Sequence, residues 1–239
     1  GTLQLGRQGA LSGALIIGLV FLVIVILTFV VFMERAQRRL IVQYPKRQVG
    51  NKIFGGDNSH LPLKLNTAGV IPPIFASSLL LMPITIANFS TGEGDSFLNT
   101  ITAMLGRGQT LYMLIYAGLI VFFCYFYTAI VFNPSDTADN LKKQGGFIPG
   151  IRPGEKTAEY IDFILSRLTV VGATYLVLVC LLPEFLISSY AVPFYFGGTS
   201  ILIIVNVAMD TMTQFQGYLF AHQYEGLLKK SRLASRRKS

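Results

Sequence analysis

The stretch AGVIPPIFASS, Ala68–Ser78, decides how the rest of this 239-residue chain is interpreted. It lies in an uncharged run of 28 residues, 65–92, which is long enough to cross a membrane as a helix. Two adjacent prolines, Pro72 and Pro73, interrupt it, and proline inside a helix costs roughly 3 kcal/mol. We expect the helix to begin near Asn66, so that the prolines bend it at membrane depth. Irregular backbone at that depth usually lines a cavity or moves. A static kink that serves packing is the alternative.

Four further uncharged runs define the fold class together with this one. They cover residues 8–33, 108–135, 168–183 and 185–209. The chain is 52% hydrophobic and 13% charged, with a mean hydropathy of +0.54, whereas soluble domains carry roughly 25% charged residues. The runs are too long for barrel strands and lack their alternation. We therefore predict an all-α polytopic membrane protein with five transmembrane helices.

The bounds of the predicted elements follow from these runs. The run 168–183 is too short to span the membrane by itself, so its helix must include residues 163–167 or continue through Glu184. Spanning the hydrocarbon core takes about 20 helical residues. We place the helices at about 10–33, 67–90, 110–132, 163–187 and 195–217, the cytoplasmic loops at 34–64 and 133–162, and a cytoplasmic tail at 218–239.

Lysine and arginine residues are distributed unevenly between the connecting segments. The segment 34–64 has seven, the segment 136–167 has five and the C-terminal tail has six, whereas the alternate segments together have two. Positively charged loops stay on the cytoplasmic side of the membrane. We therefore expect the N-terminus of the chain outside, and both long loops and the tail inside.

The start of the chain is unusual for a protein with this orientation. It begins at Gly1 without Met and without a signal peptide, yet its N-terminus is predicted to be exported. We expect a fragment, or the second half of a longer polytopic chain, whose first helix follows an odd number of crossings. A re-entrant first segment is the alternative, and the 26 uncharged residues at 8–33 disfavour it.

The loop at 34–64 is basic and contains strand-forming residues. LIVQY at 40–44 alternates apolar and β-branched residues, and NKIF follows at 51–54, so we predict a small β-hairpin that projects from the membrane. The basic charge of this loop could be explained by a cytoplasmic location alone, since cytoplasmic loops of membrane proteins are rich in lysine and arginine. An ordered loop of this length favours a docking surface for anionic lipid, RNA phosphate or an acidic protein.

The loop at 133–162 carries a short helix and a rigid turn. Asn133 ends the preceding helix, and Ser135 or Asp136 is expected to cap the short one. In FIPGIRPGE, Arg152 stands between two Pro/Gly pairs. A lone arginine on a rigid tip suits one specific contact. Alternatively, the prolines merely shape a turn and Arg152 is solvated.

Residues for catalysis or metal binding are sparse in this sequence. No zinc-protease, nucleophile-elbow or P-loop motif is present, so we expect neither an enzyme nor a cofactor. Cys124 and Cys180 lie within apolar runs and are interpreted as small buried hydrophobes. Asn206 lies within the last uncharged run, 185–209, and Asp210 directly follows that run. Solvation of Asp210 near the membrane interface is as plausible as a function.

Five long motifs resemble the bacterial SecY family, the central subunit of the general protein-conducting channel. The match extends from about Val30 to the tail and corresponds to helices six to ten, the C-terminal half of the family. The motifs are HLPLKLNTAGVIPPIFASS, VFNPSDTADNLKKQGGFIPGIRPGE, SRLTVVGA, LPEF and VPFYFGGTSILI.

The resemblance implies a clam-shell of two pseudo-symmetric five-helix halves around an hourglass pore, which a plug from the other half closes. A ring of small apolar side chains forms the constriction, and Ile74 and Ile203 match two of its positions. Such a collar fits around a moving polypeptide and resists ions by dewetting. The second helix resembles the lateral-gate helix, and the residues we assign to its gate face are Asn66, Ile71, Ser77 and Ser78.

The resemblance also implies partners. The two long loops are similar to those that dock the ribosome, through its RNA, and the motor ATPase SecA; the residues implied are Lys46, Arg47, Lys52 and Arg152. Asn51 departs from the family, which often has a second base beside Lys52. Other implied partners are SecE, SecG, signal sequences, nascent polypeptides, membrane lipids and the missing N-terminal half. The implied location is the bacterial inner membrane.

Three functions compete on the sequence. The first is a passive polypeptide channel with a lateral gate, for export and for insertion of membrane proteins, driven by SecA or a translating ribosome. The second is a small-solute secondary transporter, since broken helices suit both. The third is an intramembrane enzyme, which the missing catalytic groups disfavour. Residue patterns alone favour channel and transporter equally, and the resemblance favours the channel.

Overall fold

The fold is mostly helical, in a computed structural model that describes residues 13–45, 47–49, 52–54, 56, 58–89, 100, 103–106, 109–190 and 198–236. This confirms the predicted class of a helical membrane protein. The helices are α1 (Gly13–Arg35), α2 (Ile71–Phe89), α3 (Thr110–Val131), α4 (Pro134–Lys143), α5 (Glu155–Tyr190) and α6 (Gly198–Arg236). The strands are β1 (Gln37–Gln43), β2 (Arg47–Val49), β3 (Lys52–Phe54) and β4 (Asn58–Lys64).

Three segments of the described residues are long and apolar enough to cross a membrane. They are Gly13–Arg35, Thr110–Lys143 and Glu155–Ser189. The apolar part of α2, Ile71–Ile86, is shorter, and α6 becomes polar from Asp210 onward. Length and apolarity alone therefore identify three of the five predicted spans, while α2 and α6 are present as helices.

Two helices extend beyond their predicted membrane bounds. α5 begins at Glu155 rather than at 163, and α6 continues to Arg236 rather than ending at 217. Hydropathy marks only the part of a helix that lies in lipid, whereas backbone hydrogen bonding continues into water wherever the residues favour a helix. Parts of the predicted loop at 133–162 and of the predicted tail at 218–239 are therefore helical.

The double proline does not break a helix, so the predicted bend is wrong. α2 begins at Ile71, which places Pro72 and Pro73 in its first turn, and Pro83 is the proline inside it. First-turn N–H groups have no partner within a helix, so proline there sacrifices no hydrogen bond. The prediction failed because it started the helix near Asn66, which lies in the turn before it.

One apolar core joins the five long helices. Each helix contributes a side chain that solvent does not reach: Val30 from α1, Ala76 from α2, Ile120 from α3, Leu176 from α5 and Leu202 from α6. α3 packs between α2 and α5, and α1 and α5 both contact α6. The core also contains Cys124 and Cys180 as free, buried thiols, which confirms their interpretation as small hydrophobes.

The hairpin is present, but its strands pair differently from the prediction. β1 pairs antiparallel with β4, from Gln37 opposite Lys64 to Gln43 opposite Asn58, and β2 pairs with β3 at the tip. LIVQY at 40–44 therefore does not pair with NKIF at 51–54. The longer ribbon wins because its alternation buries an apolar face, including Leu40 and Leu63.

A second apolar cluster attaches this hairpin to the start of α5. Leu40 and Leu63 of the hairpin pack with Ile148, Ile161 and Ile164. The ribbon is thus half of a small core rather than a free arm. We call β1–β4, α4 and residues 144–154 the loop module.

The short helix α4 is capped at both ends. Its N-cap is Asn133, whose side chain accepts a hydrogen bond from the backbone nitrogen of Ser135 at 3.1 Å. The prediction that Ser135 or Asp136 caps the helix is therefore wrong by two or three positions, because Pro134 already fits the first helical turn. After the helix, Gly145 has a φ of 74°, which glycine adopts without strain.

Candidate functional site

The turn before α2 is built by the side chain of Asn66. Its Oδ1 accepts from the Gly69 nitrogen at 3.1 Å, and its Nδ2 donates to the Gly69 oxygen at 3.2 Å. Gly69 has a φ of 67°, which an L side chain rarely adopts. Asn66 is only 6% exposed. The structure therefore places Asn66 in a buried turn and not on the face of the helix where the gate was predicted.

Nδ2 of Asn66 also donates to Oε1 of Glu34 at 2.8 Å. The same carboxylate oxygen accepts from the Tyr175 hydroxyl at 3.3 Å. We call Glu34, Asn66 and Tyr175 the polar clamp. It connects the end of α1, the turn before α2 and the middle of α5.

α2 has one buried face and one uncovered face. Ala76 and Leu80 are buried in the core, whereas Ile74 is 40% exposed and Ser78 is exposed. The hydroxyls of Ser77 and Ser78 both donate to the Ile74 oxygen at 2.9 Å. Their polar groups are thus satisfied within the helix, so this surface presents little unmet hydrogen bonding to an apolar neighbour.

Ile71 lies at the edge of this surface rather than at its centre. An apolar cleft of about 270 Å³ separates the start of α2 from α3 and is lined by Ile71, Phe75 and Phe123, among others. The rings of Phe75 and Phe123 stack across it with centroids 5.8 Å apart. Ile71 therefore faces α3 at least as much as it faces outward.

Ile203 lies on the uncovered side of α6. It is 41% exposed, whereas its neighbour Leu202 and also Val205 are buried against the other helices. Asp210 is exposed and lies seven positions after Ile203, two helical turns away on the same side. Ile74 and Ile203 are thus isoleucines on two uncovered helix surfaces that flank one core.

The two long loops are joined by backbone hydrogen bonds. Gln43 at the end of β1 and Phe147 after α4 form an antiparallel bridge. Beside it, Gly146 lies so close to Tyr44 that a Cβ there would be 2.9 Å from the ring carbon Cε1. The loop module is therefore one packed unit rather than two independent loops.

Arg152 lies at the tip of a rigid turn. Gly150 and Gly154 on either side of it have φ values of 84° and 106°. The Arg152 oxygen accepts from the hydroxyl of the buried Thr157 at 2.9 Å. The arginine side chain itself is exposed. The turn thus combines a fixed backbone with an exposed arginine side chain, and the role of Arg152 in one specific contact stays a prediction.

The family of this chain is decided by a sequence comparison. A family model described as SecY matches residues 2–212. The chain belongs to the SecY family. The resemblance carried by the five motifs is therefore confirmed.

Curated SecY relatives align with nearly the whole chain. It is 56% identical over 230 residues to "Protein translocase subunit SecY" of Rickettsia conorii, and 54% identical over 233 residues to the protein of the same name from Escherichia coli K12. These alignments cover 96% and 97% of the chain but 53% of each relative. The chain thus spans about half the length of the curated relatives it matches.

Solved SecY-type structures share the fold. One, described as the structure of a protein conducting channel, superposes with a TM-score of 0.54 at 17% identity and covers 80% of this chain and 47% of that chain. Another, concerned with the plug domain of the SecY protein, gives a TM-score of 0.55 at 19% identity with the same coverage. Together with the apolar helices, these findings support a multi-pass membrane protein.

The basic positions predicted in the first SecY-family loop lie at the tip of the hairpin. Arg47 begins β2 opposite Phe54, and Lys52 begins β3 opposite Val49. Lys46 lies outside the described residues. The backbone thus brings Arg47 and Lys52 to one two-stranded tip, while Arg152 lies on a separate turn of the same loop module.

Sequence reasoning missed the polar clamp in this SecY-family chain. Glu34 was placed at the start of the loop 34–64, and Tyr175 was not singled out. A signal for Glu34 exists, because it is the acidic residue that directly follows the uncharged run 8–33. Nothing comparable singles out Tyr175, whose contact depends on how α1 and α5 pack.

Proposed function

We propose that this chain forms one side of a passive polypeptide-conducting pore with a lateral gate. The observation that carries the proposal is the identity of about 55% over nearly the whole chain with relatives named protein translocase subunit SecY. The relatives are about twice as long, so the pore is completed by a region that corresponds to the remainder of those proteins. The relatives' names support translocation of protein and give no support to a small-solute transporter.

The proposed constriction is supported by the two exposed isoleucines. Ile74 and Ile203 present aliphatic side chains that the described part of the chain leaves about 40% exposed. A ring of such residues resists ions because a narrow apolar passage loses its water. It does not hold a passing polypeptide, because isoleucine offers it no hydrogen bond.

The proposed gate is the uncovered surface of α2. Ser77 and Ser78 satisfy their hydroxyls at the Ile74 oxygen, so apolar segments or lipid can replace a neighbouring helix there without leaving polar groups unpaired. Ile71 belongs to the edge of this surface. Asn66 acts from the turn before the helix rather than on the gate face.

The loop module is the proposed docking surface for the source of energy. Its packing as one unit, its exposed Arg152, and Arg47 and Lys52 at the hairpin tip suit contacts with SecA or ribosomal RNA. Lys46, which precedes Arg47 in the sequence, belongs to the same proposed set. The excess of basic residues in the two long loops and the tail supports their cytoplasmic location in a bacterial inner membrane. SecE, SecG, signal sequences and lipids complete the proposed set of partners.

Ion conductance tests the constriction. The full-length protein with both Ile74→Asn and Ile203→Asn is reconstituted into planar bilayers and compared with the unsubstituted protein. We expect a higher resting conductance, because two amides wet the ring. Leu114→Asn, at an exposed position of α3 away from the cleft between α2 and α3, is the matched control and should leave conductance unchanged. Unchanged conductance in the double variant, or an equal rise in the control, would remove these residues from the constriction.

A further inference from the structure

We propose that the polar clamp of Glu34, Asn66 and Tyr175 positions the start of α2 and thereby sets how readily the gate surface moves. Glu34 and Tyr175 act as positioning residues through Asn66. The positioning of α2 stands on the contacts described above. Its effect on a gate rests on the function proposed for α2.

The hydrogen bonds of the clamp meet at one oxygen. Oε1 of Glu34 accepts from Nδ2 of Asn66 at 2.8 Å and from the Tyr175 hydroxyl at 3.3 Å. Glu34 is at the end of α1, and Tyr175 lies beside Phe29 of the same helix with ring centroids 5.9 Å apart. The carboxylate therefore connects two helices that are already in contact to a turn that belongs to a third.

The side chain of Asn66 links this carboxylate to the backbone of the turn before α2. The amide that reaches Glu34 also donates to the Gly69 oxygen, while Oδ1 of the same side chain accepts from the Gly69 nitrogen. Asn66 is buried, and Ile71 begins α2 only two residues after Gly69. Loss of the contact with Glu34 leaves one of the two Nδ2 hydrogens of this buried side chain without its acceptor, and the turn is then free to shift together with α2.

The backbone on the other side of the turn is fixed by close packing. A Cβ at Gly172 of α5 would lie 2.7 Å from the Leu65 oxygen, and the Leu65 nitrogen donates to the Ala36 oxygen at 3.1 Å. Gly172 precedes Tyr175 by about one helical turn. The segment before α2 is therefore pressed against α5 at the same level at which the clamp binds it.

The clamp also lies where the loop module joins the helices. β4 ends at Lys64, two residues before Asn66, and β1 begins at Gln37, three residues after Glu34. A displacement of the hairpin relative to α1 would therefore move Glu34 and Asn66 first, and α2 only through them. This is why we assign the positioning of α2 to the clamp rather than to the apolar core alone.

Spin-label distances test the positioning directly. In the full-length protein without other cysteines, spin labels are attached at Leu79→Cys on α2 and Leu178→Cys on α5, both exposed positions, and pulsed EPR measures their separation. Loss of a hydrogen bond to a charged group is expected to raise the population of molecules with a displaced α2 roughly tenfold to a hundredfold. We expect Glu34→Ala and Asn66→Ala each to add such a population. The double variant should add no more than the larger single effect.

Conservative variants separate positioning from general damage. Glu34→Gln keeps an Oε1 acceptor and should retain the native distances, and Glu159→Ala, at an exposed glutamate of α5, should do the same. If Glu34→Ala fails to assemble, Tyr175→Phe loses one hydrogen bond and keeps the ring contact with Phe29, so a smaller shift is expected. Native distances in Glu34→Ala, or equal shifts in Glu34→Ala and Glu34→Gln, would overturn the proposal.

Resting ion conductance of the same variants tests the link to gating. We expect it to rise in Glu34→Ala and Asn66→Ala and to stay at the native level in Glu34→Gln. Shifted distances without any rise in conductance would overturn the link to the gate. If the proposed function itself is wrong, the unsubstituted protein transports no polypeptide, whatever the label distances are. The two failures are therefore distinguishable.

Discussion

Gln43 and Phe147 exchange two backbone hydrogen bonds, 2.9 Å from the Gln43 nitrogen to the Phe147 oxygen and 3.0 Å in the opposite direction. The two residues belong to different loops, separated by two long helices in the chain. Their bridge, together with the second apolar cluster, makes the loop module a single body. Force or binding energy applied to either loop is therefore shared by both.

Substitution of Gly146 should weaken this joint. A Cβ at Gly146 would lie 2.9 Å from Cε1 of Tyr44 and 3.0 Å from Cγ1 of Val42, so Gly146→Ala forces the hairpin away at a cost of about 1–3 kcal/mol. Hydrogen exchange should become faster at the amides of Gln43 and Phe147. Gly118→Ala, where a Cβ meets open space, is the control. Unchanged exchange would show that the loops are not held by this contact.

Gly172→Ala should destabilise the protein for a different reason. The added methyl group would lie 2.7 Å from the Leu65 oxygen, which is backbone and yields little. Although alanine improves helix propensity by up to about 1 kcal/mol over glycine, we expect a lower midpoint of thermal unfolding in detergent. Gly118→Ala should not lower the midpoint. A midpoint for Gly172→Ala equal to that of the control would contradict the close approach of the turn to α5.

The cap of α4 gives a third prediction. Asn133→Ala removes the acceptor of the Ser135 nitrogen and should cost about 1 kcal/mol. Hydrogen exchange within the first turn of α4 is the measurement. Ser135→Ala, at the position that sequence reasoning assigned as the cap, is the control and should have a smaller effect. The reverse order of the two effects would return the cap to Ser135.

Charge reversal at the tip of the second loop tests docking. Arg152→Glu should slow SecA-driven export into membrane vesicles, because the exposed guanidinium is replaced by a carboxylate on a turn whose backbone stays fixed by Thr157. The amount of protein in the membrane should not change. Arg167→Glu, at an exposed base of α5 outside the loop module, is the matched control. Export at the native rate in Arg152→Glu would remove this residue from the docking surface.

The sequence predicted the features that depend on composition. Uncharged runs identify the five long helices because lipid requires apolar residues over a fixed length. Alternating residues identified the hairpin. The short helix predicted within the loop at 133–162 is present as α4. These patterns are local, so a single segment contains the information needed to recognise each of them.

The failures concern contacts between distant segments. The start of α2 depends on the Asn66 side chain, which is held by Glu34 from another helix, so the position of the prolines within the helix could not be derived from their own run. The strand pairing depends on which ribbon is buried against Ile148 and Ile161. The same distinction applies to the proposed site. Its exposed isoleucines were found from local motifs, whereas the polar clamp, which joins three distant segments, was not found.

Photocrosslinking from Ile74 tests most directly whether this chain lines a path for polypeptides. A photoreactive amino acid replaces Ile74 in the full-length protein, and a secretory polypeptide is arrested during transport. We expect adducts with the arrested chain at Ile74 and also at Ile203, and none at Leu114, an exposed position of α3. Adducts of equal yield at all three positions, or none at Ile74 and Ile203 while transport proceeds, would contradict this expectation.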